Sequence, residues 1–489
     1  MPSNVGTSTV QRLLVQVHRW IGIVLCLMFA AWFASGIVMI YVPFPLLPLD
    51  ERIDRAEPVD VDGIRVAPAE AIELADSGPG AGIRLRSQDG RPQYVIADGG
   101  RTIAIQADTG ERAAAFDSSA AGRIAREFSG LAARSVHGPV QYDQWVVYGA
   151  FDALRPYYRV RLDDPEGTDL YVSAVTGEVV QRTSRSQRRW NYVGAVVHWI
   201  YPTVIRKHWA LWDQLVWWVA LAGIVLTLAG LYLGILRWRS AVRSGRRGLS
   251  SPYRGWMKWH HVGGLTVGVV VLTWIFSGWL SMDHGRLFST PAPAEDHVER
   301  FAGMSASAAA GMIPVDALAD AAPFSHAEIG AFAGSPVLRT TGPNGHALWR
   351  LFDGRLQVYR PTVAEVSAAV SNAWPDHEAV ESRVLGEGDT YTSLREGSLA
   401  PDTVRIVLDD PGDTWVHVSP ARAEIVSIMD RSRRLYRWLF NGLHSFDFPG
   451  LVDRRPLWDV LMVTLLSCGF VFCVTAVVIG FRRLRRTAR

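Results

Sequence analysis

Cysteine is scarce in this chain: its 489 residues include only Cys26, Cys468 and Cys473, each inside an apolar run. None has CxxC or CxxCH spacing. That excludes covalent haem attachment, a dithiol redox pair and a cysteine-based zinc site. Charge is also sparse, at 20% of residues against 49% hydrophobic, with a mean hydropathy of +0.10. Such a composition excludes disordered and collagen-like chains. Acids are missing from whole stretches: none of the 47 Asp and Glu lies in residues 1–42, 237–261 or 482–489.

Long apolar runs are present instead. Residues 20–42, 214–236, 262–281 and 460–481 contain no Asp, Glu, Lys or Arg, and each reaches the roughly 20 residues needed to cross a bilayer. The first is followed by Pro43-Phe44-Pro45 rather than small cleavage-site residues, so it is expected to be a retained helix. Orientation follows from basic residues in short flanking segments. Arg12 and Arg19 precede the first run. Arg237, Arg239, Arg243, Arg246, Arg247, Arg254 and Lys258 lie between the second and third, and Arg482, Arg483, Arg485, Arg486 and Arg489 follow the fourth. The other 36 of the 50 basic residues share the two long segments with all 47 acids, which leaves those segments at −11. Both termini and the short loop are therefore expected to be cytoplasmic, with the long segments outside. Flanking spans as they do, the basic runs set topology, and no nucleic-acid partner is expected.

The two halves are copies. With an offset of 246, Asp163-Asp164-Pro165 falls on Asp409-Asp410-Pro411, His198 on His444, and Leu211-Trp212-Asp213 on Leu457-Trp458-Asp459. With an offset of 242, His18 falls on His260, Gly22 on Gly264, Trp32 on Trp274, and Ser35-Gly36 on Ser277-Gly278. The expected architecture is an α-helical membrane protein with four transmembrane helices in two parallel pseudosymmetric halves and two α+β domains outside. Its ranges are 1–42 (cytoplasmic N-terminus and first helix), 43–213 (first outer domain), 214–236 (second helix), 237–261 (basic loop), 262–281 (third helix), 282–459 (second outer domain) and 460–489 (fourth helix and basic tail). Such parallel repeats place a pseudo-two-fold axis along the membrane normal. Outside, residues 66–75 have helical spacing, and strands are expected at 94–97, 102–106, 158–162, 169–173, 347–352, 403–408 and 415–419.

Four of the thirteen His form repeat-matched pairs, His18 with His260 and His198 with His444. The first pair begins spans on the cytoplasmic side; the second precedes spans on the outer side. Helical spacing puts Gly22 and Gly36 near the His18 face, and Gly264 and Gly278 near the His260 face. Faces of this kind leave room for a flat macrocycle between imidazoles, the arrangement of a bis-His haem in a helix bundle. Interfacial pairing of these His with lipid phosphate or backbone, and helix packing through the glycines, are the plainer alternatives. His261 adjoins His260 and is a second candidate, while His284 is a spare outer one. His208 aligns with Arg454 and has no symmetric partner. His137, His297, His326, His346, His377 and His417 are expected at surfaces or in loops. Trp190, Trp199, Trp209, Trp212, Trp256, Trp259, Trp438 and Trp458 cluster near span ends as an interfacial belt facing membrane lipid. Asp213 and Asp459 are expected as helix N-caps. Arg185 and Arg431 are candidates for lipid phosphate or a haem propionate.

The strings VHRWIGIVLCLMFAAWFASGIVM, LYVSAVTGEVV…RRWNYVGAVVH and WHHVGGLTVGVVVLTWIFSGWL resemble the PepSY-associated transmembrane helix family over nearly the whole chain. That family includes bacterial inner-membrane siderophore-iron reductases carrying haem b. The resemblance implies two periplasmic PepSY-like domains, two b haems and reduction of a periplasmic ferric siderophore or other ferric chelate for iron uptake. On this reading His18, His198, His260 and His444 are the axial ligands. The second copy departs from the pattern where Thr176-Gly177-Glu178 becomes Arg422-Ala423-Glu424, which puts its turn in doubt. The cytoplasmic segments are too short for a flavin domain, so electrons must come from a cytoplasmic partner or a membrane quinol. PepSY modules are also associated with peptidase regulation, and the alternative function is a cofactor-free, membrane-tethered binding or assembly protein.

Overall fold

The structure, a computed structural model, describes residues 9–245, 251–283, 287–386, 389–391 and 399–487. Four long apolar helices, Thr9–Tyr41, Trp209–Arg243, Gly255–Leu280 and Leu457–Thr487, form the spans. Each runs past its apolar stretch into flanking Trp and Arg, because a helix satisfies its own backbone in lipid and continues beyond it. The first span packs on the second and fourth, and the third packs on the same two, closing a four-helix ring. Lipid is as apolar as the side chains, so this association rests on close packing. Gly223 and Gly469 supply it at positions 246 apart. A Cβ on Gly223 would lie 2.9 Å from the Phe29 ring, and one on Gly469 would lie 2.4 Å from Phe33.

The long segments share one sheet. Strand Gly82–Gln88 of the first pairs antiparallel with His326–Phe332 of the second, placing Arg84 opposite Glu328 and Arg86 opposite His326. The result is a seven-stranded sheet ordered Arg355–Val358, Gly345–Phe352, Ser335–Gly342, His326–Phe332, Gly82–Gln88, Arg91–Asp98, Arg101–Gln106. Both segments therefore lie at one end of the bundle, with the basic loop at the other. The two outer segments are thus joined edge to edge through this sheet. The joining strand, Gly-Ile-Arg-Leu-Arg-Ser-Gln, alternates apolar residues with arginine and is not among the strands expected from sequence. Ile83 and Leu85 point into the core, and Arg84 and Arg86 point to the opposite, polar face.

Each half adds a four-stranded antiparallel sheet: Ala133–Val140, Tyr157–Leu162, Asp169–Ser173 and Val179–Thr183 in the first, and Ala379–Val384, Val404–Leu408, Trp415–Ser419 and Glu424–Met429 in the second. A helix covers each. Ser118–Ser129 starts at Asp117, whose side chain accepts from the Ala120 N–H at 2.8 Å. Val363–Ala373 starts at a Thr362/Glu365 capping box. The expected strands 158–162, 169–173, 403–408 and 415–419 fall on Tyr157–Leu162, Asp169–Ser173, Val404–Leu408 and Trp415–Ser419.

The altered turn of the second copy is kept. Ala423 takes a left-handed conformation, φ +49°, where its counterpart Gly177 has φ +73°. An L side chain in that region costs about 1–2 kcal/mol. Ala423→Gly should therefore stabilise the protein by about 1 kcal/mol. Gly177→Ala should destabilise it by more, because the new Cβ would also meet the Gln88 side chain at 2.7 Å. Thermal unfolding in detergent checks both signs.

Candidate functional site

The outer histidines sit in short helices, Ala195–His198 and Leu443–Ser445, wedged against the outer ends of the first and third spans. Each is latched at two points by a Trp and a Ser three residues apart on the span. Trp32 Nε1 donates to the His198 carbonyl at 2.8 Å, and Ser35 Oγ lies 3.1 Å from His198 Nδ1. In the other half Trp274 Nε1 donates to the His444 carbonyl at 2.9 Å, and Ser277 Oγ lies 3.0 Å from His444 Nδ1. The next carbonyl along is held by the following span: Trp212 donates to Trp199 O at 3.0 Å and Trp458 to Ser445 O at 3.1 Å. Gly36 and Gly278 complete the seat. A Cβ there would lie 3.7 and 3.4 Å from the Cε1 atoms of His198 and His444. The two ring centroids lie 6.2 Å apart, with the planes at 70°.

The inner pair is built differently but ends at the same separation, with His18 and His260 ring centroids 6.2 Å apart. His18 Nδ1 lies 3.0 Å from the Leu226 carbonyl of the second span, and His260 Nδ1 lies 3.0 Å from Thr475 Oγ1 of the fourth. His260 also stacks on Phe472, with centroids 5.0 Å apart and planes 12° apart. Here the glycines differ from expectation. Gly22 and Gly264 are covered by Leu226 and Phe472 and act in helix packing. The residue that admits His18 is Gly230 on the second span, where a Cβ would lie 2.5 Å from His18 Cε1. Seventeen residues of the first span separate His18 from Ser35, about 25 Å of helix, so the pairs lie near opposite faces of the membrane-spanning region.

These hydrogen bonds set the tautomers. The hydroxyls of Ser35, Ser277 and Thr475 each give their one proton to a carbonyl of their own helix, those of Trp32, Trp274 and Phe472, at 3.0, 3.1 and 2.6 Å. A carbonyl can only accept, so the Leu226 carbonyl beside His18 and the Trp32 carbonyl 3.2 Å from His198 Nδ1 put the proton of those rings on Nδ1 and the lone pair on Nε2. The hydroxyls beside His260 and His444 suit the same tautomer, the state in which histidine ligates a metal while its other nitrogen is oriented by an acceptor. Two imidazoles bound through nitrogen to one ion at about 2 Å place their ring centres roughly 6 Å apart. The residues present fit a bis-imidazole metal group at both ends of the bundle.

Other candidates lie elsewhere. His261 turns away from His18: its Nε2 is 3.0 Å from the Gly234 carbonyl and its ring meets Tyr253 edge-on. His208 stands just before the second span. His284 lies outside the described residues. His417, expected at the surface or in a loop, is instead fully buried in strand Trp415–Ser419, where Arg405 Nε donates to it at 2.8 Å. Val416 and Val418 fill the core, so alternation puts His417 on the opposite face of the strand, where the buried Arg405 covers and satisfies it. His326 and His346 also stand in strands. Asp213 does not cap its helix, because the second span begins earlier, at Trp209. Asp459 sits in the first turn of its span but pairs with Arg455. Arg185 lies against Gly167, and Arg431 is 3.9 Å from Asp413. Trp190, Trp209, Trp256 and Trp259 are exposed as a belt requires, while Trp212 and Trp458 are buried latches.

Ser35, Ser277, Thr475 and Gly230 had no role assigned from sequence. The matched Trp32…Ser35-Gly36 and Trp274…Ser277-Gly278 pattern carried the signal for the first two. Gly230→Val should push His18 out of place and destabilise the protein by about 1–3 kcal/mol. Gly22→Ala, whose Cβ meets only Leu226 at 3.5 Å, should be near neutral. Thermal unfolding of both variants in detergent separates the two glycine roles.

No curated protein matches the chain. The profile of the PepSY-associated TM region matches residues 15–483, a stretch that takes in all four histidines, and the chain belongs to that family.

Proposed function

We propose that the chain is a haem-containing electron-transfer protein of a bacterial inner membrane that reduces a periplasmic ferric siderophore or similar ferric chelate. The observation that carries this reading is the pair of imidazole pairs, each 6.2 Å between ring centres, with every Nδ1 held against an oxygen. Haem b held between two imidazoles supplies reversible one-electron chemistry without an open coordination site. His18 and His260 would hold the cytoplasmic-side group, and His198 and His444 the periplasmic-side one. Ser35, Ser277, Thr475 and the Leu226 carbonyl orient the ligand imidazoles. The packed aromatic and aliphatic core of Phe29, Phe33, Trp274 and Leu466 keeps water out between them.

Sidedness follows from charge. The segments before the first span, between the second and third, and after the fourth carry 14 basic residues and no acid in sequence, which favours the cytoplasm for them. The domains at the other end of the bundle are then periplasmic and meet the bulky substrate. One electron delivered to chelated Fe(III) gives Fe(II), which the chelate holds less tightly. The electron enters from a cytoplasmic partner or a membrane quinol. A net charge of −11 outside favours neutral or cationic ferric siderophores over strongly anionic ones, an effect screened beyond about 10 Å.

Three outcomes are expected. A periplasm-active reporter should be silent when fused after Arg489 and active when inserted between residues 282 and 459; the reverse pattern overturns the orientation. His18→Ala and His260→Ala should each abolish one haem signal, and His198→Ala and His444→Ala the other, as read by haem content and spectra. If all four variants keep full haem content, the ligand assignment is wrong. Chemically reduced protein mixed anaerobically with ferric chelates should reoxidise as Fe(II) is trapped, more slowly without His198 or His444. Indifference to every chelate would remove the reductase reading.

A further inference from the structure

Beyond the spans, the protein has a cavity of about 350 Å³ where the two halves meet. Its walls are residues 52–57, the end of strand Gly82–Gln88, helix Ser118–Ser129, the Gly177-Glu178 turn, and Ser325-His326 contributed by the other half. The volume lies at the small end of ligand pockets.

The floor is cationic. Glu178 is buried, and one of its oxygens faces three guanidiniums: Arg52 at 3.2 Å, Arg84 at 3.5 Å and Arg86 at 3.5 Å. Burial alone would raise this carboxyl. Arg84, Arg86 and Arg52 outweigh burial and hold it far below the usual carboxylate range. Three positive charges on one negative charge leave an excess beside the cavity. Arg86 Nη1 is buried against Glu178 and has no further hydrogen-bond partner among the described residues. The His326 side chain makes no hydrogen bond among them, although it lines the cavity. Burial, followed by the neighbouring Arg84, pushes this imidazole down to about 4, so it is neutral at pH 7.

The lining also carries Glu57, Asp89 and Glu127, beside Arg55, and Asp89 is paired with Arg123 at 3.2 Å. The Glu127 carboxyl is raised by burial and then by the charges of Asp89 and Glu57, so a cation near it would relieve repulsion. A purely structural ion network explains the Glu178 contacts. It leaves the cavity and the idle imidazole unexplained. The second half shows the closed version: Arg422 stands where Thr176 does and bonds Glu424 itself at 2.7 Å, and Arg339 lies 3.4 Å from the same carboxylate.

We propose that this cavity binds a small zwitterion of the amino-acid or short-peptide class, with its carboxylate on Arg52, Arg86 and His326 and its ammonium toward Glu57 and Glu127. Because His326 and Glu178 come from different halves, the ligand would bridge them. The site lies outside the spans and stands whatever the spans carry.

The test is calorimetric titration of the full chain in detergent with glycylglycine, and with acetate and ethylamine as its single-charge halves. Glycylglycine should bind at millimolar concentration or tighter, and each half more weakly. Arg52→Gln and His326→Leu should each weaken glycylglycine binding by about tenfold or more, the loss of one charge-assisted hydrogen bond. Arg422→Gln should leave it unchanged. His326→Leu keeps the ion network intact, so it stands as the second variant if Arg52→Gln fails to fold. Acetate binding as tightly as glycylglycine, no glycylglycine binding by the parent protein, or equal binding by the folded variants would each overturn the proposal.

Discussion

A neutral imidazole has one proton for two nitrogens, and the partner of one nitrogen decides which keeps the lone pair. In the interior of a membrane bundle that choice is sharpened, because a polar group without a partner is expensive there. The four histidines of this protein are governed by that constraint. Each Nδ1 meets an oxygen: a helix carbonyl for His18 and His198, and hydroxyls for His198, His260 and His444. A proton on Nδ1 leaves the lone pair on Nε2. The rest of the site is scaffolding for these contacts: Trp32 and Trp274 pin the outer histidine carbonyls, and Gly36, Gly230 and Gly278 let the rings approach the spans.

The duplication supplies the second half of the geometry. A single copy presents one imidazole near each face of the bundle, whereas two copies together present two at a fixed separation. Residues at matching positions make matching contacts, as with Trp212 and Trp458, or with Thr168 on Asp164 and Thr414 on Asp410. The copies have also diverged. Arg159, Asp143 and Tyr171 form one polar cluster, and their counterparts Arg405, Asp389 and His417 form another with histidine in place of tyrosine.

How much the sequence revealed follows from the range of each interaction. The spans were legible because a bilayer demands an uninterrupted apolar run, although each helix extends further, as the first does from Thr9 to Tyr41. The histidine pairs were legible because two copies could be compared. The roles of Thr475 and Gly230 were not, since their contacts join residues more than two hundred apart and follow no local pattern. The union of the two outer segments was hidden in a strand whose alternate arginines, Arg84 and Arg86, look like loop residues until the buried Glu178 they meet is known. His417 was misplaced for a related reason: a polar residue in a short strand is read as exposed, and only the buried Arg405 beside it shows otherwise.

The central claim is that paired imidazoles hold haem at both ends of the bundle. The most direct measurement is the reduced-minus-oxidised absorption spectrum of the purified full chain together with its haem content. The account predicts the Soret and α bands of six-coordinate, low-spin b-type haem at two per chain. A colourless protein, purified from cells supplied with haem and folded by its thermal transition, would contradict it.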